Sequence, residues 1–196
     1  MTRPTLIVFL RAPAIGRGKT RLAREIGLVA AWRFARTQAE QTLRRLADPR
    51  WRLVVRVTPD IAAHGGWEPQ GAGDLGHRLE RAIRAHARGP VAVVGTDCPD
   101  LTPARVARTF AAARRTGAAI GQAEDGGYWI LALSARRARR VALDGVRWST
   151  AHACDDTVRA LGGDVVRLET LIDVDDLKSL RTWRASRKAR ARRWPG

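Results

Sequence analysis

Asp97 stands in the run Gly95-Thr96-Asp97-Cys98-Pro99-Asp100, directly behind the apolar segment Val91-Ala92-Val93-Val94. A carboxylate at the end of a buried strand is costly to desolvate unless it meets a cation or hydrogen bonds. Such a group suits a hard divalent ion, because Mg²⁺ is bound through one or two carboxylates together with phosphate oxygens. Asp97 is therefore a candidate metal ligand, whereas Asp100 reads as a turn or capping residue. A second cluster spans Arg11 to Arg21, reading RAPAIGRGKTR. Gly16 and Gly18 let the backbone approach an anion closely, and the helix start that follows adds its positive dipole end. Arg17, Lys19 and Arg21 supply charge for a phosphate, and Arg11 opens the stretch. The competing reading is an ordinary glycine turn with exposed basic residues. Pro13 to Thr20 also falls one residue short of a P-loop, but Pro13 stands where that motif's first glycine belongs and has no N–H for a phosphate cradle.

Three further clusters carry polar chemistry. Gly73-Asp74-Leu75-Gly76-His77-Arg78 is a polar helix start after a glycine-rich loop. Asp74 there either meets a nucleotide's base or ribose or simply caps the helix. Glu124-Asp125-Gly126-Gly127-Tyr128-Trp129 combines two acids, a flexible Gly pair and two aromatics. That set suits a sugar or similar polyol, with hydroxyls met by acids and a ring face met by an aromatic; the alternative is a tight hairpin tip. Asp173-Val174-Asp175 either completes a metal site or caps the terminal helix through Asp175.

The elements that must position these clusters follow from hydrophobic period and turn chemistry. Thr5 to Leu10 is apolar and reads as a buried strand. A short helix runs from about Lys19 to Gly27. A longer one carries Leu28, Trp32, Ala35, Ala39, Leu43 and Leu46 as one stripe, ending at Asp48-Pro49. Leu53 to Val57 is β-branched and reads as a strand. Ala63 to Gly73 reads as a loop, and Asp74 opens a helix faced by Leu75, Leu79, Ala82, Ile83 and His86. The run 91–94 is a strand buried on both faces, and Thr102-Pro103 opens another helix as cap and first-turn proline. Strands are predicted over 118–121 and 129–133, a helix over 151–161, a strand over 165–168 and a basic helix from about Asp176. Alternating strands and helices predict an α/β layered fold with a largely parallel sheet. In such sheets ligands bind beyond the carboxyl ends of strands, where four of these clusters fall.

The 196 residues fit one domain, able to bury about 70% of its unfolded surface without disulfide or structural metal. Cys98 and Cys154 form no CxxC pair, which excludes a disulfide framework and fits a reducing cytoplasm. The six apolar residues from Thr5 are too few for a signal segment or a membrane span. The net charge of +17 raises a nucleic-acid reading. Only three of the 36 basic residues are lysine, so the excess is arginine spread over the whole surface. Eight basic residues and no acid lie between Lys178 and Arg193, a run that reads as a solvated helix face. Nucleic acid is accordingly expected to make only non-specific charge contacts.

Taken in order, FLRAPAIGRGKTRLA, GDLGHRL, GTDCPDLT, AEDGGYWIL, the Trp148-Ser149 pair and DVD resemble a family of small bacterial GT-A-like, glycosyltransferase-like proteins. Members are described in arsenosugar biosynthesis, and the family is related to phospholactate guanylyltransferase. The matching stretches cover nearly the whole chain. The resemblance implies a GT-A, nucleotide-diphospho-sugar transferase fold with a single mixed, mostly parallel sheet flanked by helices. It implies a transferase domain over residues 1–177, with a basic tail over 178–196 beyond what the resemblance explains. It implies Asp97 as a ligand for Mg²⁺ or Mn²⁺ and the N-terminal loop as the phosphate site. Asp175 follows as second ligand, with Asp173 behind it.

Lys19, Arg21 and Asp97 form the candidate catalytic set. Arg11, Gly16, Arg17, Gly18, Lys19, Arg21 and Asp74 form the phosphate and nucleotide set. Glu124, Asp125, Gly126, Gly127, Tyr128 and Trp148 form the acceptor or sugar set. The expected ligands are a nucleotide or nucleotide-sugar and a small-molecule acceptor, in a cytoplasmic enzyme. Glycosyl transfer and nucleotidyl transfer both fit. The chain departs from the family pattern twice. Ile15 replaces a proline, and Asp175 runs straight into Asp176-Leu177, three residues short, at the point where the second metal ligand is expected.

Overall fold

The computed structural model describes residues 2–193. Seven strands form one sheet: β1 (Thr5–Arg11), β2 (Arg52–Thr58), β3 (Glu68–Pro69), β4 (Val91–Val94), β5 (Ala118–Ala123), β6 (Tyr128–Leu133) and β7 (Val165–Leu171). Their order is β3-β2-β1-β4-β6-β5-β7. β1 lies parallel to β2 and β4, β2 to β3, and β5 to β7, while β6 runs antiparallel to both its neighbours. The sheet is thus mixed and mostly parallel, as expected. Its directions bring the carboxyl ends of β1, β4, β5 and β7 to one edge, together with the start of β6.

Seven helices connect the strands: α1 (Thr20–Ile26), α2 (Leu28–Leu46), α3 (Leu75–Ala85), α4 (Pro103–Thr116), α5 (Ala135–Ala138), α6 (Ala153–Leu161) and α7 (Leu177–Arg193). Alternate side chains of the strands feed two apolar layers. Leu6, Val8, Ala92 and Val94 pack with Trp51, Val106 and Phe110 on one face. Ile7, Val91 and Val93 pack with Leu79, Ile83 and Leu133 on the other. β4 is buried along its whole length, which its four apolar residues require of a central strand. α4 starts as its sequence dictates: the Thr102 hydroxyl accepts from the Arg105 N–H at 3.3 Å, and Pro103 stands in the first turn. It stops at Gly117, whose φ of 95° is left-handed.

Several expectations are corrected. The buried face of α2 is Ala31, Gln38, Ala39, Thr42 and Leu46, whereas Leu28 is exposed. Small residues let the helix approach the sheet closely, and Gln38 is tolerated inside because its amide donates to the Thr42 hydroxyl at 3.3 Å. The segment read as loop holds β3, two residues paired to β2 and too short to show alternation, and a 3₁₀ turn at Asp60–Ala62 precedes it. α5 was hidden by its composition, since Ala-Arg-Arg-Ala has no apolar stripe; the Ser134 hydroxyl caps it. β7 continues to Leu171, three residues further than its apolar core suggests. Among the described residues no helix is long and apolar enough to cross a membrane.

Candidate active site

The strand-end clusters meet along one cleft. Asp97 follows β4, and the segment Asp173-Val174-Asp175 follows β7. The Val174 N–H donates to the Asp97 carbonyl at 3.1 Å, and the Leu22 N–H of α1 donates to the Asp175 carbonyl at 3.1 Å. These bonds pin the segment between β4 and α1, with Val174 fully buried beside Leu22 and Leu180. One carboxylate oxygen from each of Asp97, Asp173 and Asp175 lies within 4.8 Å of the others, close enough to share one metal ion. The three-residue shortening therefore leaves Asp175 in reach of Asp97. It also brings in Asp173, which the sequence ranked behind it.

The three acids differ in environment. The side chains of Asp97 and Asp175 are about half exposed, at 51% and 45%. Asp173 is more enclosed, and its Oδ1 is buried without a hydrogen-bond partner. Burial pushes its carboxyl up to about 8, against the pull of the Lys19 ammonium, and Asp175, Asp97 and Asp125 add to the rise. A buried acceptor left unpaired is costly, and a hard cation would satisfy it. The donor set is all oxygen, which suits Mg²⁺ or Mn²⁺ rather than a soft metal. Cys98, next to Asp97, does not join it: burial raises its thiol well above the ordinary value, and Asp173 and Asp97 reinforce the rise.

Lys19 borders the cleft, and its side chain is 7% exposed and turns into the acids. Nζ lies 2.7 Å from Asp97 Oδ1 and 2.5 Å from Asp175 Oδ1, and it donates to the Val174 carbonyl at 2.6 Å. Burial alone would lower its pKa, but Asp97, Asp175 and Asp173 outweigh that and the net shift is upward. The ammonium is therefore firmly charged. Its backbone is left-handed, φ 46°, at the N-cap of α1. No side chain caps that helix. The P-loop near-match is thereby answered: Lys19 points into carboxylates, not into a phosphate cradle.

The other basic residues of this stretch line the cleft as Lys19 does. Arg11, Arg17, Gly18 and Arg21 border one half of it, a space of about 660 Å³, together with Arg78 and Gln70. Arg78 is held there by Gln70, whose Oε1 accepts from it at 3.1 Å, and by the Asp74 carbonyl at 3.1 Å. Gly16 sits at the tip with φ 74° and serves the turn. Asp74 is a cap: its Oδ1 accepts from the His77 N–H at 2.9 Å, and it does not border the cleft.

The other half of the cleft, about 520 Å³, shares Arg21, Asp97 and Asp175 with the first. Asp125, Gly127, Trp148 and Ser149 border it. Trp148 lies against the start of α3, where a Cβ on Gly76 would come within 2.8 Å of its Nε1. Its ring meets Tyr128 edge-on at 6.5 Å between centroids. Tyr128 borders the cleft by its ring alone: burial raises its hydroxyl's pKa, and that oxygen points toward Thr157 in the core. Glu124 is exposed and outside the cleft, its N–H held by the Leu171 carbonyl at 3.1 Å. Gly126 is structural, since a Cβ there would lie 2.2 Å from the Ala151 carbonyl oxygen. Of the acceptor set, the structure therefore brings Asp125, Gly127, Trp148 and the Tyr128 ring to the cleft, and leaves Glu124, Gly126 and the Tyr128 hydroxyl outside it. Sequence reasoning missed Gln70, which lies in a loop without a motif. It left Arg78 unweighted, although that residue stands inside GDLGHR.

Comparison with known proteins agrees with the fold. A structure from Desulfovibrio desulfuricans G20, described as a candidate nucleotide-diphospho-sugar transferase, superposes with a TM-score of 0.83 at 25% identity, over 93% of this chain and 87% of that one. A Mycobacterium tuberculosis H37Rv protein, Rv0371c in complex with manganese, gives 0.54 at 19% identity, over 92% and 97%. The 2-C-methyl-D-erythritol 4-phosphate cytidylyltransferase of Thermus thermophilus gives 0.53 at 19% identity, over 93% and 97%. No curated protein matches the sequence significantly. Residues 34–150 match DUF2064, a family described as uncharacterised and conserved in bacteria. The chain belongs to this DUF2064 family, and its fold is that of the GT-A-like nucleotide-diphospho-sugar transferases.

Proposed function

We propose that this chain is a metal-dependent transferase whose donor is a nucleotide-sugar. The observation that carries the reading is one juxtaposition. Three carboxylates able to share an ion lie on the same cleft as Arg11, Arg17 and Arg21, which flank the turn between β1 and α1. In this reading Asp97, Asp173 and Asp175 hold Mg²⁺ or Mn²⁺, which supplies charge neutralisation at the phosphate oxygens. Arg11, Arg17, Arg21 and Arg78 hold the diphosphate and stabilise negative charge as the sugar leaves it. Asp125, Gly127 and Trp148 orient sugar and acceptor, with the indole offering an apolar face to a ring. The manganese bound by Rv0371c and the description of the Desulfovibrio protein support the same assignment.

A second reading is nucleotidyl transfer from a nucleoside triphosphate. The four arginines on the phosphate side favour it, because they offer more positive charge than a diphosphate carries on two groups. The cytidylyltransferase fold relative favours it too. The two readings differ in product: glycosyl transfer releases a nucleoside diphosphate, and nucleotidyl transfer releases pyrophosphate.

A thermal-shift panel of nucleoside di- and triphosphates and nucleotide-sugars, each with Mn²⁺ or with EDTA, tests the shared core. At about a hundredfold excess over Kd a ligand adds about 2.7 kcal/mol of stability. The expected result is stabilisation by at least one such ligand only when the metal is present. Equal shifts with Mn²⁺ and with EDTA across the panel would sink the metal-dependent reading.

A further inference from the structure

We propose that Lys19 is a tethered cation that holds the metal site before a ligand arrives, and that metal and nucleotide phosphate displace it together. The inference rests on the functional reading above and deepens it.

The Lys19 ammonium is surrounded as a hard cation would be. Its neighbours are Asp97 Oδ1 at 2.7 Å, Asp175 Oδ1 at 2.5 Å and the Val174 carbonyl at 2.6 Å, all oxygen. Two of these belong to the carboxylate group that could ligate a metal. The third acid, Asp173, keeps a buried oxygen unpaired, so one ammonium does not satisfy the set. A divalent ion on the three carboxylates would share Asp97 and Asp175 with the ammonium. Lys19 must release them first, because an ammonium and a divalent ion in one small site repel strongly. Lys19 also borders the phosphate-side half of the cleft with Arg11, Arg17 and Arg21. A released Nζ therefore has a nearby anion only when nucleotide phosphate is there. Metal alone would displace a cation that has nowhere favourable to go. Metal with phosphate gives it a new partner, which couples the two ligands in both directions.

Binding of Mn²⁺ alone, followed by calorimetry and by the loss of free-ion EPR signal, tests this on the full chain. Lys19→Met keeps much of the stem and removes the charge. It is expected to bind Mn²⁺ at least tenfold more tightly than the wild type without nucleotide, and to lose most of the gain in metal affinity that nucleotide brings. A Lys19→Met protein that folds only with Mn²⁺ present gives the same answer, since the ion then takes the place of the ammonium. Lys19→Gln, whose amide can still donate to Asp175 and to the Val174 carbonyl, is measured beside it and is expected to fall on the same side. Unchanged or weaker Mn²⁺ binding in both variants overturns the proposal. If that occurs while wild-type protein still binds nucleotide only with metal, Lys19 alone has been misassigned. If wild-type protein shows no metal-dependent nucleotide binding, the functional reading fails first.

Discussion

At the scale of single residues the site depends on which charges are satisfied inside the fold and which face the cleft. Arg21 borders both halves of the cleft and is exposed. Arg21→Ala is therefore expected to weaken metal-dependent nucleotide binding about tenfold or more, the loss of about 1.5–3 kcal/mol typical of a hydrogen bond to a charged group. Its melting temperature should stay close to wild type, since exposed side chains contribute little. Calorimetric titration beside a melting curve checks both. Lys19 is the contrast: with a side chain 7% exposed and two ion pairs, Lys19→Ala is expected to lower the melting temperature as well. This difference was not legible in the sequence. Both residues stand in one basic stretch of sequence, and only the fold shows that Lys19 meets the acids. Asp97 was legible, because a carboxylate behind a four-residue apolar strand needs an electrostatic reason to be there. Asp173 was less so: alternation in Asp-Val-Asp puts both acids on one side without telling which is buried.

At the scale of elements, helix starts and ends are legible where a single residue type decides them, as at Thr102-Pro103, Asp74 and Gly117. Pairings set by distant partners are not. β3 exists only through its ladder to β2, and the loop carrying Trp148 is positioned by α6. The buried Asp156 carboxylate accepts from the Arg147 backbone and guanidinium at 3.2 and 2.7 Å and from Arg159 at 2.7 Å. Hydrogen bonds from Arg147 hold its pKa well below the ordinary 3.8, with Arg159 adding to the effect. A carboxyl whose pKa is depressed by folding adds stability above its unfolded value and loses that contribution as pH falls through its folded one. Asp156→Asn is accordingly expected to melt several degrees lower at pH 7, with the deficit shrinking below about pH 3.8. Freed Arg147 should also loosen Trp148, so nucleotide-sugar affinity is expected to fall more than affinity for the bare nucleotide. A melting series against pH and paired titrations read these effects. Gly126→Ala is expected to cost about 1–3 kcal/mol, because its Cβ would strike the Ala151 carbonyl at a φ of 86°; chemical denaturation measures it.

For the whole molecule, the topology collects distant sequence clusters at one sheet edge, and β6 runs against both its neighbours there. Antiparallel β6 lets the Glu124–Gly127 turn return to the same edge as Asp97. A strand count alone leaves that direction open, since the four-residue turn is its only sign in the sequence. Part of the positive charge behind the net +17 lies outside the cleft. α2 and α7 border a groove of about 550 Å³ with Arg44, Arg45 and Arg187, which Pro99 and Asp100 also line. The start of α7 is seated in the domain: Leu180 is buried, and the Trp183 indole donates to Asp100 at 3.1 Å. The expected tail over 178–196 extends beyond the described residues at 194–196. We propose that residues 1–177 hold the transferase site and that the basic end is accessory. Deletion after Arg187 should then leave metal-dependent nucleotide binding unchanged and flatten the salt dependence of any non-specific nucleic-acid binding by about one unit of slope per lost phosphate contact.

The central claim is that Asp97, Asp173 and Asp175 bind one divalent ion together with nucleotide phosphate. Its most direct test is Mn²⁺ titration by water-proton relaxation, with and without a saturating nucleotide, on wild type, Asp97→Asn and Asp173→Asn. Nucleotide-enhanced Mn²⁺ binding is expected in the wild type, and is expected to be lost in both variants although each still folds. Folded Asp97→Asn and Asp173→Asn proteins that bind Mn²⁺ and nucleotide as the wild type does would contradict it.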